Sequence, residues 1–183
     1  MNASGHCYEA GAHQLGARVR LPTIMLPSTL GGALDPNTLK GAAVIYVYPW
    51  TGRPGVANPP GWDEIPGAHG STPQAEGFRD HYRAFREAGW DVYGVSGQTA
   101  AWQREFSDRL ALPFALLSDS TFALANALNL PRFSTGGIAY LNRLTFFVRD
   151  GAIIETIYPV LNPAGQAAAV LTRIGAPGLI VKP

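Results

Sequence analysis

The sequence predicts an α/β fold of three layers, a mixed sheet with helices on both faces, and three observations carry that prediction. Residues 41–49 (Gly-Ala-Ala-Val-Ile-Tyr-Val-Tyr-Pro) form an unbroken apolar, β-branched and aromatic run, the pattern of a strand buried on both faces. Strand-like and helix-like periodicities then alternate along the chain, which implies a largely parallel sheet between helical layers. Near the end, Arg149-Asp150-Gly151 joins two apolar runs, 144–148 and 152–158, and Asp-Gly in that setting signals a hairpin that adds antiparallel strands.

Taken in order, residues 1–16 are small, polar and irregular and are expected to form a loosely ordered tail. Between residues 18 and 29, Val19, Leu21, Ile24 and Leu26 are interrupted by Pro22 and Pro27, which confines any strand there to an edge. After the 41–49 strand comes an insertion, residues 50–70, rich in glycine and proline. A loop of about 20 residues without structure of its own is uncommon in a compact domain unless it is functional, so this one is a candidate wall or lid of an active site. Asp63, Glu64 and His69 read first as solvated loop residues; His69, with Pro49 and Trp50 at the loop's start, is kept as a candidate substrate contact.

Residues 73–88 read as one amphipathic helix with Ala75, Phe78, Tyr82 and Phe85 on its buried face. The insertion therefore delivers Ser71 and Thr72 to a helix N-terminus, where unpaired N–H groups and the macrodipole stabilise an anion. Spacing alone leaves a structural alternative open: Ser71 and Gln74 are three apart, as in a capping box, and Pro73 suits a first turn. Further on, 90–96 alternates like a strand and 100–110 is a helix with Trp102, Phe106 and Leu110 on one stripe. Residues 114–117 are a short strand, 121–128 a short helix, and 131–142 a loop containing Gly136-Gly137. A last helix covers 164–174, and the apolar tail 175–183 is expected to be disordered or docked on a partner.

Composition narrows the function. With 183 residues, 46% hydrophobic and 15% charged, the chain is expected to be a single domain over 1–183 with a sizeable core. The formal net charge is +1 and no Lys/Arg run occurs, so neither nucleic acid nor an anionic membrane is an expected partner. No apolar stretch approaches the roughly 18 residues of a membrane span, and 1–16 lacks a basic segment followed by an apolar one, which makes the cytoplasm the expected location. The single cysteine, Cys7, excludes an internal disulfide and reads as an idle thiol, with pairing between chains as the other option. His6, Cys7, His13, His69 and His81 show no ligand spacing, so no metal and no cofactor are expected. Small molecules and a second copy of the chain, as a homodimer, remain as partners. Trp50, Trp62, Trp90 and Trp102 do not discriminate among functions.

Four segments together are specific. Residues 71–80 (Ser-Thr-Pro-Gln-Ala-Glu-Gly-Phe-Arg-Asp) resemble the Cys-Thr-x-x-x-Cys-x-Phe-Arg-Asp segment of peroxiredoxins, AhpC/TSA type, of the bacterioferritin-comigratory-protein class. Residues 112–119 (Leu-Pro-Phe-Ala-Leu-Leu-Ser-Asp) and Arg143-Leu144-Thr145-Phe146 are similar to two further segments of that family, and the strand ending at Tyr48-Pro49 sits where the family has its strand before the active-site loop. The resemblance covers about residues 42–174 and implies a thioredoxin-like three-layer fold. It implies thiol-dependent peroxide reduction, with a hydroperoxide or another anion-forming compound as substrate and a thiol as reductant. It places the peroxidatic position at 71, the activating guanidinium at Arg143 and the resolving position at 76. A thiolate at a helix N-terminus facing an arginine would have a lowered pKa.

The departures from the family are as informative. Position 71 is Ser, position 76 is Glu, and Ala68 stands where the family has threonine three residues before the reactive position. An alcohol cannot climb the sulfur oxidation ladder, so the chain as written is expected to be inactive as a peroxidase. Three readings stay open. In the first, Ser71 replaces a catalytic cysteine in a one-cysteine peroxidase. In the second, the protein does non-redox chemistry with Ser71, Thr72, Glu76 and Arg143, although a nucleophilic serine needs a base, and His81 lies about 15 Å along the helix while His69 sits on a loop. In the third, it is a redox-silent binding protein for small molecules.

Overall fold

The computed structural model describes residues 18–176. The expected N-terminal tail, with His6, Cys7 and His13, and the end of the C-terminal tail lie outside the described residues. The central sheet has six strands in the order β1 (Val19–Arg20), β10 (Ala152–Ile157), β9 (Leu144–Arg149), β4 (Ala42–Val47), β5 (Trp90–Ser96) and β6 (Leu116–Ser118). β4 lies at its centre with every residue buried, as its unbroken apolar sequence requires. The β4–β5 and β5–β6 pairs are parallel, whereas β4–β9, β9–β10 and β1–β10 are antiparallel. The sheet is therefore mixed, as expected, with its parallel part confined to β4, β5 and β6. The cause is the terminal hairpin, whose strand β9 docks beside β4 and whose partner β10 then receives β1 at the edge. Its turn is Asp150-Gly151, both with positive φ (48° and 73°), as a two-residue hairpin loop demands.

Alternate residues of β4 feed two cores. Val44 and Tyr46 face Phe78 of α1 (Ser71–Asp80), Phe85 of α2 (Tyr82–Glu87), Phe106 of α3 (Ala100–Leu110) and Val170 of α5 (Gln166–Gly175). Ile45 and Val47 face the opposite core, where α4 (Ala123–Ala127) contributes Leu124 and Ala125 alongside Leu21 and Leu26. Three layers result. Around Pro27 the chain forms a small ribbon, β2 (Leu26–Pro27) with β3 (Ala33–Leu34), outside the main sheet, as the prolines imply.

Four expectations change in detail. The helix expected over 73–88 is two helices, since the chain breaks at His81, whose Nδ1 bonds the Gly77 carbonyl at 2.9 Å and closes α1. On α3 the fully buried stripe residue beside Phe106 is Gln103 rather than Trp102. Its amide accepts from the Tyr48 hydroxyl at 2.7 Å and donates to the Gln98 and Leu117 carbonyls, so a polar side chain is satisfied inside the core. Residues 131–142 are a hairpin and not a loop: β7 (Arg132–Thr135) pairs with β8 (Ile138–Leu141) across Gly136-Gly137, φ 56° and 77°. The weak alternation of Arg-Phe-Ser-Thr hid it, although Gly-Gly is a recognised hairpin turn.

The insertion also has structure. Trp62, in a 3₁₀ turn over Trp62–Glu64, is 3% exposed and packs edge-on against Tyr140 (ring centroids 5.0 Å apart) and Trp50 (5.4 Å). At its start, Thr51 takes two bonds with Gln98 Oε1 at 2.9 Å through its N–H and hydroxyl, and its carbonyl accepts the Trp102 indole N–H at 2.7 Å. An aromatic anchor and a hydrogen-bonded root hold these residues, which no periodicity could reveal.

Candidate active site

Ser71 opens α1, but not as a cap. The N-cap is Gly70, at φ 102°, and it makes no side-chain cap bond; Ser71 is the first helical residue and is 6% exposed. The capping-box alternative is thereby overturned, because both of its members face inward. Ser71 Oγ accepts from Arg143 Nη2 at 3.1 Å, and the Gln74 amide oxygen accepts from Arg143 Nη1. Only glycine suits position 70, since a Cβ there would lie 2.3 Å from Pro163 Cγ on the loop before α5.

Arg143 precedes β9 and is 4% exposed. Its Nη2 also donates to the His69 carbonyl at 3.0 Å and to the Gly67 and Ala68 carbonyls at 3.4 Å, so the end of the insertion wraps the guanidinium. Its Nε is buried without a hydrogen-bond partner among the described residues. All of its named partners are neutral. Burial pushes its pKa down to about 10, and it remains a cation at neutral pH. A buried cation held by neutral oxygens beside a helix N-terminus is a place where negative charge is favoured.

A buried chain of amides backs this pair. Gln74 Nε2 donates to Gln166 Oε1 on α5, and Gln166 Nε2 donates to Thr145 Oγ1 on β9; the three residues are 0%, 4% and 0% exposed. Gly77 faces this end of α5 at close range: a Cβ there would sit 3.2 Å from the Ala164 carbonyl just before the helix and 3.6 Å from Ala167 Cβ within it. Sequence reasoning missed Gln166. Its signal was a glutamine on the same helical stripe as Val170 and Ile174.

The remaining candidates are placed unevenly. Thr72 is half-buried and lines, with Ser71, a cavity of about 360 Å³ that Trp50, Trp62, Ala68, His69 and Asn58 also border. Pro49 is buried and forms, with Trp50, Trp102 and Tyr140, the wall of a neighbouring cavity of about 240 Å³. The His69 ring is exposed and bonds Asp63 Oδ1 at 2.8 Å, so its carbonyl serves the site while its imidazole does not reach Ser71. Glu76 is half-buried on α1 and is not among the hydrogen-bond partners of Arg143. Ala68, 1% exposed, packs with Trp62 and Tyr140 where the family has a hydroxyl. Among the described residues no group of three or more His, Cys, Asp or Glu could hold a metal, and no helix is long and apolar enough to cross a membrane.

The AhpC/TSA family model matches residues 66–157, which contain the helix start, Gln74, Arg143 and Thr145. A peroxiredoxin bcp of Coxiella burnetii is 30% identical over 162 residues, covering 85% of this chain and 95% of the relative. The chain belongs to the AhpC/TSA family. Peroxiredoxin Q of Oryza sativa subsp. japonica, a chloroplastic protein, is 33% identical over 138 residues, and the chain spans 56% of that relative's length. Among solved structures, the bacterioferritin comigratory protein of Xanthomonas campestris, described for alkyl peroxide reduction, aligns with a TM-score of 0.68 at 26% identity. The alignment covers 86% of this chain and 96% of that one. Peroxidoxin BcpB of Mycobacterium tuberculosis shares the fold, with a TM-score of 0.69 at 20% identity over 87% and 96% of the two chains. The fold is accordingly the thioredoxin-like one expected of an AhpC/TSA protein, with Ser71 and Arg143 paired at its helix start.

Proposed function

We propose that this protein carries a peroxiredoxin-type peroxide pocket in which Ser71 holds the position of the attacking thiolate. As written it receives hydroperoxides without reducing them; with cysteine at position 71 it is a thiol-dependent peroxidase. The observation that carries this reading is the 3.1 Å bond from Arg143 Nη2 to Ser71 Oγ, both groups buried at the start of α1. A thiolate in that place would attack the terminal oxygen of ROOH, forming an S–O bond as the O–O bond breaks. The departing alkoxide takes up a proton, and two equivalents of an outside thiol return the sulfenic acid to thiol. Arg143 would stabilise the thiolate and then the negative charge that develops on the peroxide oxygens. A serine hydroxyl has neither the acidity nor the oxidation states for this sequence.

The non-redox enzyme reading finds less support, since among the described residues no imidazole hydrogen-bonds Ser71 and Glu76 is not among the hydrogen-bond partners of Arg143. Binding without chemistry is favoured by one feature, the buried Arg143 cation whose named partners are all neutral oxygens, which invites a small carboxylate or peroxide anion.

The test is thiol-dependent consumption of hydrogen peroxide and of an organic hydroperoxide by the chain, by Ser71→Cys, and by Ser71→Cys with Arg143→Ala. The expected order is no turnover, turnover, and a loss of about 100-fold or more in the double variant. A folded Ser71→Cys variant without turnover would overturn the peroxide reading.

A further inference from the structure

We propose that Gln166 is a positioning residue which, through Gln74, aims the Arg143 guanidinium at position 71 while leaving its charge uncompensated. This inference rests on the reading of position 71 as the place where negative charge forms. The series Arg143, Gln74, Gln166, Thr145 crosses from the residue before β9 to α1, then to α5 and back to β9, and every member is at most 4% exposed.

Direction matters in this series. A guanidinium only donates, so Gln74 must turn its oxygen to Arg143, and its NH₂ then faces α5 and requires an acceptor. Gln166 Oε1 is that acceptor. Its own NH₂ goes to Thr145 Oγ1, an atom able to accept. Without Gln166 the Gln74 NH₂ would be a buried unpaired donor, and the side chain would gain by swinging toward another acceptor, which would take its oxygen off Arg143. A carboxylate at either glutamine could hold the geometry, but it would neutralise the guanidinium and weaken its pull on an anion at position 71. Two neutral amides in series meet both demands, orientation and retained charge.

Two measurements test this, both in a Cys7→Ser background so that one thiol reports. The first is the thiol pKa of the Ser71→Cys variant, read from the pH dependence of alkylation, alone and combined with Gln166→Leu or the shape-conserving Gln166→Glu. A pKa below the ordinary value of about 8.5 is expected for Ser71→Cys, moving up by about one pH unit or more with either change at Gln166. The second needs no thiol at 71: hydrogen exchange of the Arg143 guanidinium by NMR in the Ser71 chain, expected to quicken about tenfold or more in Gln166→Leu. An ordinary thiol pKa in Ser71→Cys with protected Arg143 exchange that Gln166→Leu abolishes would sink the reading of position 71 and leave the positioning intact. A low thiol pKa and a protected guanidinium, both unmoved by either Gln166 variant, would overturn the inference, even where those variants lower the melting temperature.

Discussion

At position 71 an oxygen stands beside a cation that burial has made costly to hold. The pKa of Arg143, pushed down to about 10 in the fold from its higher ordinary value, gives that cost a pH signature. The folded chain releases this proton first, so between those two values the unfolded chain binds more protons and stability rises with pH; below about 10 both states are charged and the cost is constant. Denaturant unfolding of the chain and of Arg143→Met, at about pH 8 and about pH 11, isolates the effect, because other tyrosines and lysines cancel in the difference. The chain is expected to gain on the variant by at most ~1.4 kcal/mol per pH unit above about 10. A difference that stays flat, or that moves against the chain, would show that the guanidinium is not desolvated as its burial implies. The same residue scale explains Ala68: its methyl packs under Trp62 and Tyr140, where the family's hydroxyl would have to be satisfied.

The elements that meet at the site are α1, α5 and the insertion, and glycine sets two of their contacts. Gly70→Ala would combine a strained left-handed backbone with a Cβ 2.3 Å from Pro163 Cγ. It is expected to cost about 1–3 kcal/mol and, in the Ser71→Cys background, to lower peroxide turnover by displacing the helix start. Thermal unfolding and turnover measured side by side decide it; unchanged values in both would mean that the loop before α5 yields freely. The insertion behaves as a separate local unit. Trp62 is its buried anchor, so Trp62→Ala should open residues 50–70 to limited proteolysis while the sheet remains folded, a local opening with a free energy below the global one. Cleavage first appearing within the sheet would contradict that division.

Across the whole molecule, β4 couples the two cores, since its alternate side chains are shared between them and every one is buried. Phe78, stacked on Tyr46 with ring centroids 4.5 Å apart, belongs to one core, and Phe146 to the other. Phe78→Ala and Phe146→Ala are each expected to lower stability by about 3–5 kcal/mol and to leave a single unfolding transition, because neither face can come away without exposing β4. Two resolved transitions in either variant would mean that the layers fold independently.

The sequence by itself determined the layers, the central strand, the Asp-Gly hairpin and the position of Ser71 at a helix start, because each is written in short-range periodicity or turn chemistry. It also pointed to Arg143, through a segment that stood beside three others resembling the same family. Only the tertiary structure decided what Gln74 and Gln166 do. A glutamine three residues after a serine satisfies a cap rule equally well, and nothing local shows that its amide turns inward to a guanidinium 69 residues away and to a helix 92 residues away. The same holds for the guanidinium's surroundings, since nothing local shows that the partners of Arg143 are neutral oxygens and do not include the carboxylate of Glu76. The 131–142 hairpin and the anchored insertion depended on each other, with Trp62 packing on Tyr140 across about 80 residues of chain, a contact whose sequence signal is diluted by loop closure over that distance. Burial, direction of donation and charge balance are properties of the assembled site, and they come into being only when α1, α5 and β9 meet.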